Sequence, residues 1–214
     1  MKKSKKDQNH DLEEKMAAFR LKFEIKLAES KKAAFEELLP FLVAMGSEGE
    51  RSAVVLGAER INVAVEALLK TFLLPSQNQT DNLFSTDGAL ATFSRKIEMA
   101  YRLGLLDSDF KQALGLVRKL RNDFAHATKV ETLEEPMHAD KVKALAQLIS
   151  AGNQKESLAE LKLVFKKAVG AGEQACSYLS CVMLLLLKLE MTRHHIERPE
   201  VLLPAMLNYN KRTP

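Results

Sequence analysis

The sequence predicts an all-α protein, a multi-helix bundle of long antiparallel helices. Apolar residues recur at three- and four-residue intervals through almost every segment, which is the period of one helix face. No segment alternates apolar and polar residues as a half-buried strand does. Proline and glycine residues separate the periodic segments, so each segment is predicted to be one helix.

The first two helices are predicted from their apolar stripes and their ends. The first runs from Asp11 toward Leu39, and Pro40 is expected to disturb or end it. Its stripe is Leu12, Met16, Phe19, Phe23 and Leu27. Ser47 and Glu50 have the spacing of a capping box, in which the serine and glutamate side chains bond backbone N–H groups of the first turn. A long second helix should therefore begin at Ser47, continue to Leu74 and end at Pro75, before a polar loop over residues 76–82.

The next two helices form a pair joined by a glycine turn. The third should begin near Asp87 and end at Gly104, where a left-handed residue would terminate it. The fourth should begin at Ser108 and end between His126 and Thr128. The pair has the outline of a helix-turn-helix, but the apolar face of the second helix is needed for the core and an aspartate stands at its N-terminal end. Direct reading of DNA bases by this pair is therefore not favoured.

The last third of the chain is the most apolar. A linker over residues 133–137, broken by Pro136, should lead to a helix from Asp140 to Ser150 that is stopped by the Ala-Gly-Asn sequence at 151–153. Two more apolar segments, 158–168 and 175–191, should be separated by a kink or break at the glycines of 170–172. After Pro199, we expect the chain to dock in part through the apolar residues Val201, Leu202 and Leu203.

These elements divide the chain into four regions. Residues 1–10 are predicted to be a disordered basic tail and residues 11–135 a helical domain. Residues 136–198 are predicted to add helices that pack on the same core, and residues 199–214 to form a second tail. Exposed apolar surface on the last long helix would require a partner, and a homodimer is therefore expected.

The composition favours an ordinary protein of the cytoplasm. The net charge of +4 comes from 32 basic and 28 acidic residues that are interspersed along the chain, whereas dedicated nucleic-acid binders concentrate basic residues on one face. Cys176 and Cys181 lie on one apolar helix at a spacing that fits neither a redox pair nor a zinc half-site. We expect them to be buried thiols in a reducing compartment.

No association with a membrane is predicted. The lysine-rich residues 1–6 are followed by acidic and polar residues rather than by the apolar run of an export signal. The most apolar stretch, Tyr178 to Leu187, falls well short of the roughly 20 residues that a spanning helix requires. It is predicted to be a buried core helix.

The polar residues that stand out for function are Arg121, Asn122 and His126. At about 100° of rotation per residue, Asn122 and His126 share one helix face, as do Arg118 and Asn122. Arg121 and His126 are separated by about 140°. They would meet only if the helix ended between them or if a second subunit completed the group.

Three interpretations of these residues are open. In the structural one, Arg121 pairs with Glu59 or Glu66 on the second helix, while Asn122 and His126 bond carbonyl groups where their helix ends. In the second, they form a ligand-binding or regulatory surface. In the third, they belong to a nuclease site, since histidine supplies a general base or acid near neutral pH and arginine binds phosphate through two N–H groups.

Several segments resemble the mannitol operon repressor (MltR) family. They are residues 93–97 (FSRKI), 101–106 (YRLGLL) and 117–126 (VRKLRNDFAH), preceded by 57–60 (GAER) and 68–70 (LLK). The resemblance extends from Arg51 to Ala127, within the domain predicted over residues 11–135. It implies an all-helical bacterial protein of the cytoplasm that represses transcription of a sugar-alcohol operon. It brings no recognised DNA-binding motif with it, and it adds Arg95 to the candidate surface.

The same motif also resembles the R-x4-6-H pattern, with a polar residue after the arginine, of the HEPN helical superfamily. Many members of that superfamily are metal-independent ribonucleases that work as dimers. This resemblance implies that Arg121, Asn122 and His126 would be catalytic residues whose two copies meet across a two-fold axis.

No metal or cofactor site is predicted. Glu190 and His194 share a helix face, but two ligands do not make a metal site. No phosphate-binding or dinucleotide-binding glycine motif and no serine-nucleophile motif occurs. The sequence thus predicts a non-catalytic transcriptional regulator that acts through a protein partner or DNA and uses a surface near Arg95, Arg121, Asn122 and His126. The alternative is a HEPN-like metal-independent endoribonuclease or toxin-related protein that uses Arg121, Asn122 and His126.

Overall fold

Seven helices and no strands are found in the computed structural model, which describes residues 29, 32–76, 81–129 and 131–196. The helices are α1 over residues 32–47, α2 (Glu50–Phe72), α3 (Phe93–Arg102), α4 (Ser108–His126), α5 (Pro136–Ile149), α6 (Lys155–Val169) and α7 (Glu173–His195). The predicted all-α bundle is confirmed. The predicted tails and most of the predicted first helix lie outside the described residues.

Helix α7 is the centre of the core. Residues 175–183 are all buried, because α7 has no polar face in this part and is surrounded by α2, α5 and α6. The Tyr178 hydroxyl donates to the carbonyl of Val54 in α2 at 3.1 Å, which satisfies a fully buried polar group. The expected exposed apolar surface is therefore absent from residues 175–183, whereas Leu184, Leu187 and Met191 are half-buried. The homodimer stays a prediction.

The length of α7 corrects the estimate made from the sequence. In the described part of the chain, α7 is the one helix long and apolar enough to cross a membrane, with 23 residues and a mean hydropathy of 1.5 over its most apolar window. However, 67% of that window is buried inside the fold. This burial is consistent with the core helix of a soluble protein.

The two cysteines are buried thiols, as predicted. Burial raises the pKa of Cys181 to about 12, and it also raises the pKa of Cys176. A raised thiol pKa disfavours the reactive thiolate. Neither cysteine is therefore suited to be a nucleophile.

The predicted boundary between α1 and α2 is wrong in two respects. The helix α1 continues through Pro40, where the missing N–H and the ring are tolerated because Leu38, Leu42 and Met45 fix its buried face. The predicted capping box does not form. The Ser47 hydroxyl donates back to a carbonyl of α1, and α2 begins after Gly49 without a side-chain cap.

The third helix begins later than predicted, at Phe93 instead of near Asp87. Its cap is Thr92, whose hydroxyl accepts from the N–H of Arg95 at 3.3 Å. Residues 81–92 form a series of turns in which Gly88 lies against backbone. A Cβ atom at this position would lie 2.3 Å from the carbonyl oxygen of Asn82, so the close approach excludes a side chain. Gly104 has a φ of 73° and lies in the turn that ends α3, as predicted.

The start and the end of α5 also differ from the prediction. Pro136 does not break a linker but is the first residue of α5, a position that needs no N–H. The predicted stop at 151–153 is absent, because a π-helical turn, Ser150–Gln154, joins α5 to α6. The predicted break at the glycines is confirmed, since Gly170 adopts a φ of 68° and ends α6.

Candidate functional site

The last turn of α4 places Arg121, Asn122 and His126 at the surface. The opposite face of the helix, with Leu120 and Phe124, is buried in the core. Arg121 and Asn122 are half-buried, while His126 is exposed. Helix α4 continues through His126, so the helix does not end between Arg121 and His126.

Arg121 reaches toward Asn122 rather than toward a carboxylate. Its Nη1 donates to Oδ1 of Asn122 at 3.2 Å. His126 makes no hydrogen bond or ion pair with any residue that the structure describes. Asn122 and His126 lie one turn apart on the same face. The guanidinium of Arg121 and the amide of Asn122 are therefore joined, with the imidazole one turn further along.

The predicted structural partners of Arg121 are wrong. Glu66 binds the ammonium groups of Lys70 and Lys96, each at 2.6 Å, and Glu59 accepts from Asn62 at 3.0 Å. Burial alone would raise the pKa of Glu66, but hydrogen bonds and charge from Lys70 and Lys96 outweigh it and lower that pKa. Glu66 lies beside the buried Lys96 of α3. Glu59 is exposed.

A second half-buried arginine lies on the same side of α4. Arg118 is one turn before Asn122, so Arg118, Asn122 and His126 follow one another along a single face. Within the described ranges, neither Arg118 nor Arg121 has a carboxylate within ion-pair distance. The four residues Arg118, Arg121, Asn122 and His126 are called the α4 polar row below.

Arg95 is not joined to the α4 polar row by a hydrogen bond or an ion pair in the part of the chain that the structure describes. It is exposed, and its Nη1 donates to the carbonyl of Gly88 at 3.5 Å. This bond ties the start of α3 to the turns that precede it. The structure therefore gives Arg95 a local structural contact.

The segment that follows α4 is held by acidic residues for which the sequence predicted no such role. The N–H of Leu133 donates to Glu50 at 2.5 Å, and the N–H of Gln174 at the start of α7 donates to Glu134 at 2.9 Å. Arg51 donates to the carbonyl of Ala125 at 3.3 Å and so occupies one of the last acceptors of α4. The chain beyond His126 is thus fixed to α2 and α7.

His138 is the one fully buried ionisable histidine among the described residues. Its Nε2 lies 2.9 Å from Glu131, and its Nδ1 lies 3.8 Å from Asp123, which also pairs with Lys141. The ring packs against Phe124 with a centroid separation of 5.0 Å. His138 lies between the predicted linker and the predicted start of the next helix, and it gave no signal of this role because its burial depends on where α5 starts.

Two clefts are lined by residues outside the α4 polar row. A cleft of about 860 Å³ and a second one of about 570 Å³ are both lined without Arg121, Asn122 or His126. No group of three or more potential metal ligands occurs in the residues described. His194 bonds Glu190 at 3.1 Å, as an ordinary pair one turn apart.

The N-terminal end of α4 carries two carboxylates. The carboxylate of Asp107 accepts from the N–H of Phe110 at 2.7 Å, and Asp109 is exposed in the first turn. Two carboxylates at this end would repel phosphate.

Comparisons of the chain with models of known families, with curated proteins and with solved structures give no match.

Proposed function

We propose that this protein is a non-catalytic transcriptional regulator similar to the mannitol operon repressor family, and that its α4 polar row binds the phosphate backbone of nucleic acid. The observation that carries the proposal is the pair of half-buried arginines, Arg118 and Arg121, that lack carboxylate partners among the described residues. The stem of such an arginine packs on the protein, while its guanidinium keeps N–H donors for an external acceptor. Two unpaired guanidinium groups beside an amide and an imidazole form a surface that favours anions.

Contacts of this kind give affinity and little sequence information. Phosphate contacts fix the position of a protein on DNA, whereas base contacts give specificity. Since α4 buries its apolar face in the core and carries carboxylates at its N-terminal end, it is not placed to read a groove. Specificity would come from a protein partner, in the cytoplasm of a bacterial cell. This division of roles agrees with the modest net charge of +4.

The salt dependence of DNA binding tests the contact. Affinity is measured at several stated salt concentrations for the wild type, Arg121→Gln and Arg118→Gln. Each substitution should lower affinity and reduce the slope of log affinity against log salt by about 1, because one phosphate contact is lost. The matched control is Lys167→Gln, which removes an exposed charge from α6, away from α4. If all three variants behave alike, or if the arginine variants unfold, the α4 polar row is not a binding surface.

Specificity is tested with DNA from the control region of a mannitol operon against random DNA, with and without cell extract. We expect preference for the operon fragment to require the extract. Equal affinity for both DNAs under every condition would contradict the regulatory proposal.

A metal-independent endoribonuclease of the HEPN type is the second candidate. The observation that favours it is His126, which is exposed and without a partner among the residues described, so that its ring is available for proton transfer. Because α4 continues through His126, Arg121 and His126 of one chain diverge, and a two-fold dimer would have to complete the site. Incubation with mixed RNA in EDTA tests this candidate. Cleavage that is lost in His126→Ala would support it, and absence of histidine-dependent cleavage would exclude it.

A further inference from the structure

A deep cleft lies at the opposite end of α4 from the polar row. It has a volume of about 860 Å³ and lies where α4 and α6 begin, α5 ends and the second half of α7 passes the start of α1. Its walls are mainly apolar and include Phe35, Phe110, Leu148, Leu161, Val164 and Leu184. An apolar cleft of this size is uncommon on a protein surface unless something occupies it.

The charges at the rim of the cleft are not balanced. Lys188 pairs with Asp107 at 3.1 Å, and Lys32 lies 3.8 Å from Glu36. Asp109 and Glu160 also line the cleft, and neither has a cationic partner among the described residues. The rim therefore has uncompensated negative charge, which favours an occupant with an apolar part and a basic part.

Residues 197–214 have this combination. They include the apolar residues Val201, Leu202, Leu203, Met206 and Leu207, followed by Lys211 and Arg212. No acidic residue follows Glu200. The order of apolar and basic residues thus matches an apolar cleft with an acidic rim.

The position at which this segment begins allows it to reach the cleft. Ile196 packs against the core just beyond the end of α7, and Met191, five residues earlier, lines the cleft. Five helical residues span about 7.5 Å, whereas five extended residues reach about 17 Å. Pro199 cannot continue a helix and favours a change of direction. A short return is therefore enough to bring Val201 to the cleft.

We propose that residues 201–207 dock in this cleft of the same chain, with Lys211 and Arg212 facing Asp109 and Glu160. Covalent attachment through a few residues gives the segment a high effective concentration, so that a modest apolar contact suffices. Residues 1–28 precede Lys32, which also lines the cleft, but α1 already places Phe35 in the wall and basic and acidic residues are mixed in that segment. The proposal is independent of the function of the α4 polar row.

Hydrogen exchange of the full chain tests the docking. In the wild type, amide groups of residues 201–207 should exchange about tenfold or more slowly than in an unstructured peptide of the same sequence. Val164→Asp places a charge in the cleft wall, and it should remove this protection. The matched control is Leu163→Asp, because Leu163 is the adjacent residue of α6, is 65% exposed and does not line the cleft. The control should keep the protection.

A second pair of substitutions tests the charges and guards against loss of fold. Asp109→Lys and Glu160→Lys change exposed residues, and each should speed exchange at 201–207 while circular dichroism stays unchanged. Protection should be the same after tenfold dilution, because the contact is within one chain. Exchange at the unstructured rate in the wild type would overturn the proposal. Protection of residues 12–27 that depends on Val164 would also overturn it, because the N-terminal segment would then be the occupant. Protection that is lost on dilution would overturn it as well, because a second copy of the chain would then be the occupant.

Discussion

Lys96 lies at the point where α2 and α3 meet. Its side chain is 5% exposed, and its ammonium donates to Glu66 at 2.6 Å and to Asn62 at 3.1 Å. A buried charge is tolerated only when it is paired and hydrogen-bonded. Glu66 is itself 26% exposed, so that the pair is reached by water from the carboxylate side. The pair holds the first turn of α3 against the middle of α2.

Removing the carboxylate of this pair should be costly. Glu66→Gln leaves the ammonium of Lys96 buried without a counter-charge, and we expect a loss of about 3 kcal/mol in the free energy of unfolding. The measurement is urea denaturation followed by circular dichroism. The control Lys96→Met removes the charge and keeps an apolar stem, and it should change stability by less than about 1 kcal/mol. Equal losses in the two variants would show that packing, and not charge, is responsible.

The pH dependence of stability gives a second check on the same pair. The pKa of Glu66 is lower in the folded protein than its ordinary value of 4.5. Its contribution is therefore fully present above that value and is lost as the pH falls through the folded pKa. Glu66→Gln should remove this part of the acid destabilisation.

For individual residues, the sequence predicted where the polar side chains of α4 lie but not which residues they contact. Helix rotation correctly placed Asn122 and His126 on one face. The pairing of Arg121 with Glu59 or Glu66 was wrong, because the direction of a side chain on α2 depends on which helix packs there. Lys96 gave no signal, since a lysine in an amphipathic helix is normally a surface residue.

Helix α4 shows how a single capping residue fixes an element. Asp107 accepts from the N–H of Phe110 and also pairs with Lys188 in α7. The N–H of Phe110, together with Lys188, lowers the pKa of Asp107 below its ordinary value of 3.8, against the opposing effect of burial.

The start of α4 at Ser108 was predicted correctly. The capping box at α2 was not, because Ser47 bonds α1 and Glu50 bonds the segment after α4.

Replacement of the α4 cap should cost stability in a pH-dependent way. Asp107→Ala should lower the free energy of unfolding by about 1 kcal/mol at pH 7. The folded pKa is depressed, so the charged cap contributes above pH 3.8 and its contribution is lost as the pH falls through the folded value. Urea denaturation at pH 7 and at pH 3 measures the difference. Asp107→Asn keeps an acceptor and should lose less at pH 7. A loss in Asp107→Ala that is equal at both pH values would contradict the role of the charge.

The whole molecule depends on contacts between its first and last parts. The apolar face of α2 packs most extensively on α7, and α4 packs on α5. One continuous core cluster joins buried residues from Leu38 to Leu189. Composition and periodicity predicted the helices and hence the class of fold. They also predicted that residues 178–187 would be a buried core helix. They did not predict which helices would surround it, because that is decided by packing and not by its own sequence.

This arrangement predicts that residues 1–135 do not fold alone. Such a fragment keeps α2 and α4 but loses α5 and α7, which exposes Val54, Leu68 and Leu114 among other core residues. At roughly 25 cal/mol per Å² of apolar surface, the free energy lost by this exposure exceeds the margin of stability of a typical domain.

We expect the full chain to unfold in one transition, with coincident changes in circular dichroism and in tyrosine fluorescence, because Tyr178 is fully buried. The fragment should show no cooperative transition. A fragment that melts cooperatively, or a full chain with two separate transitions, would show that the region predicted over residues 11–135 is an independent domain and that α7 is an addition to it.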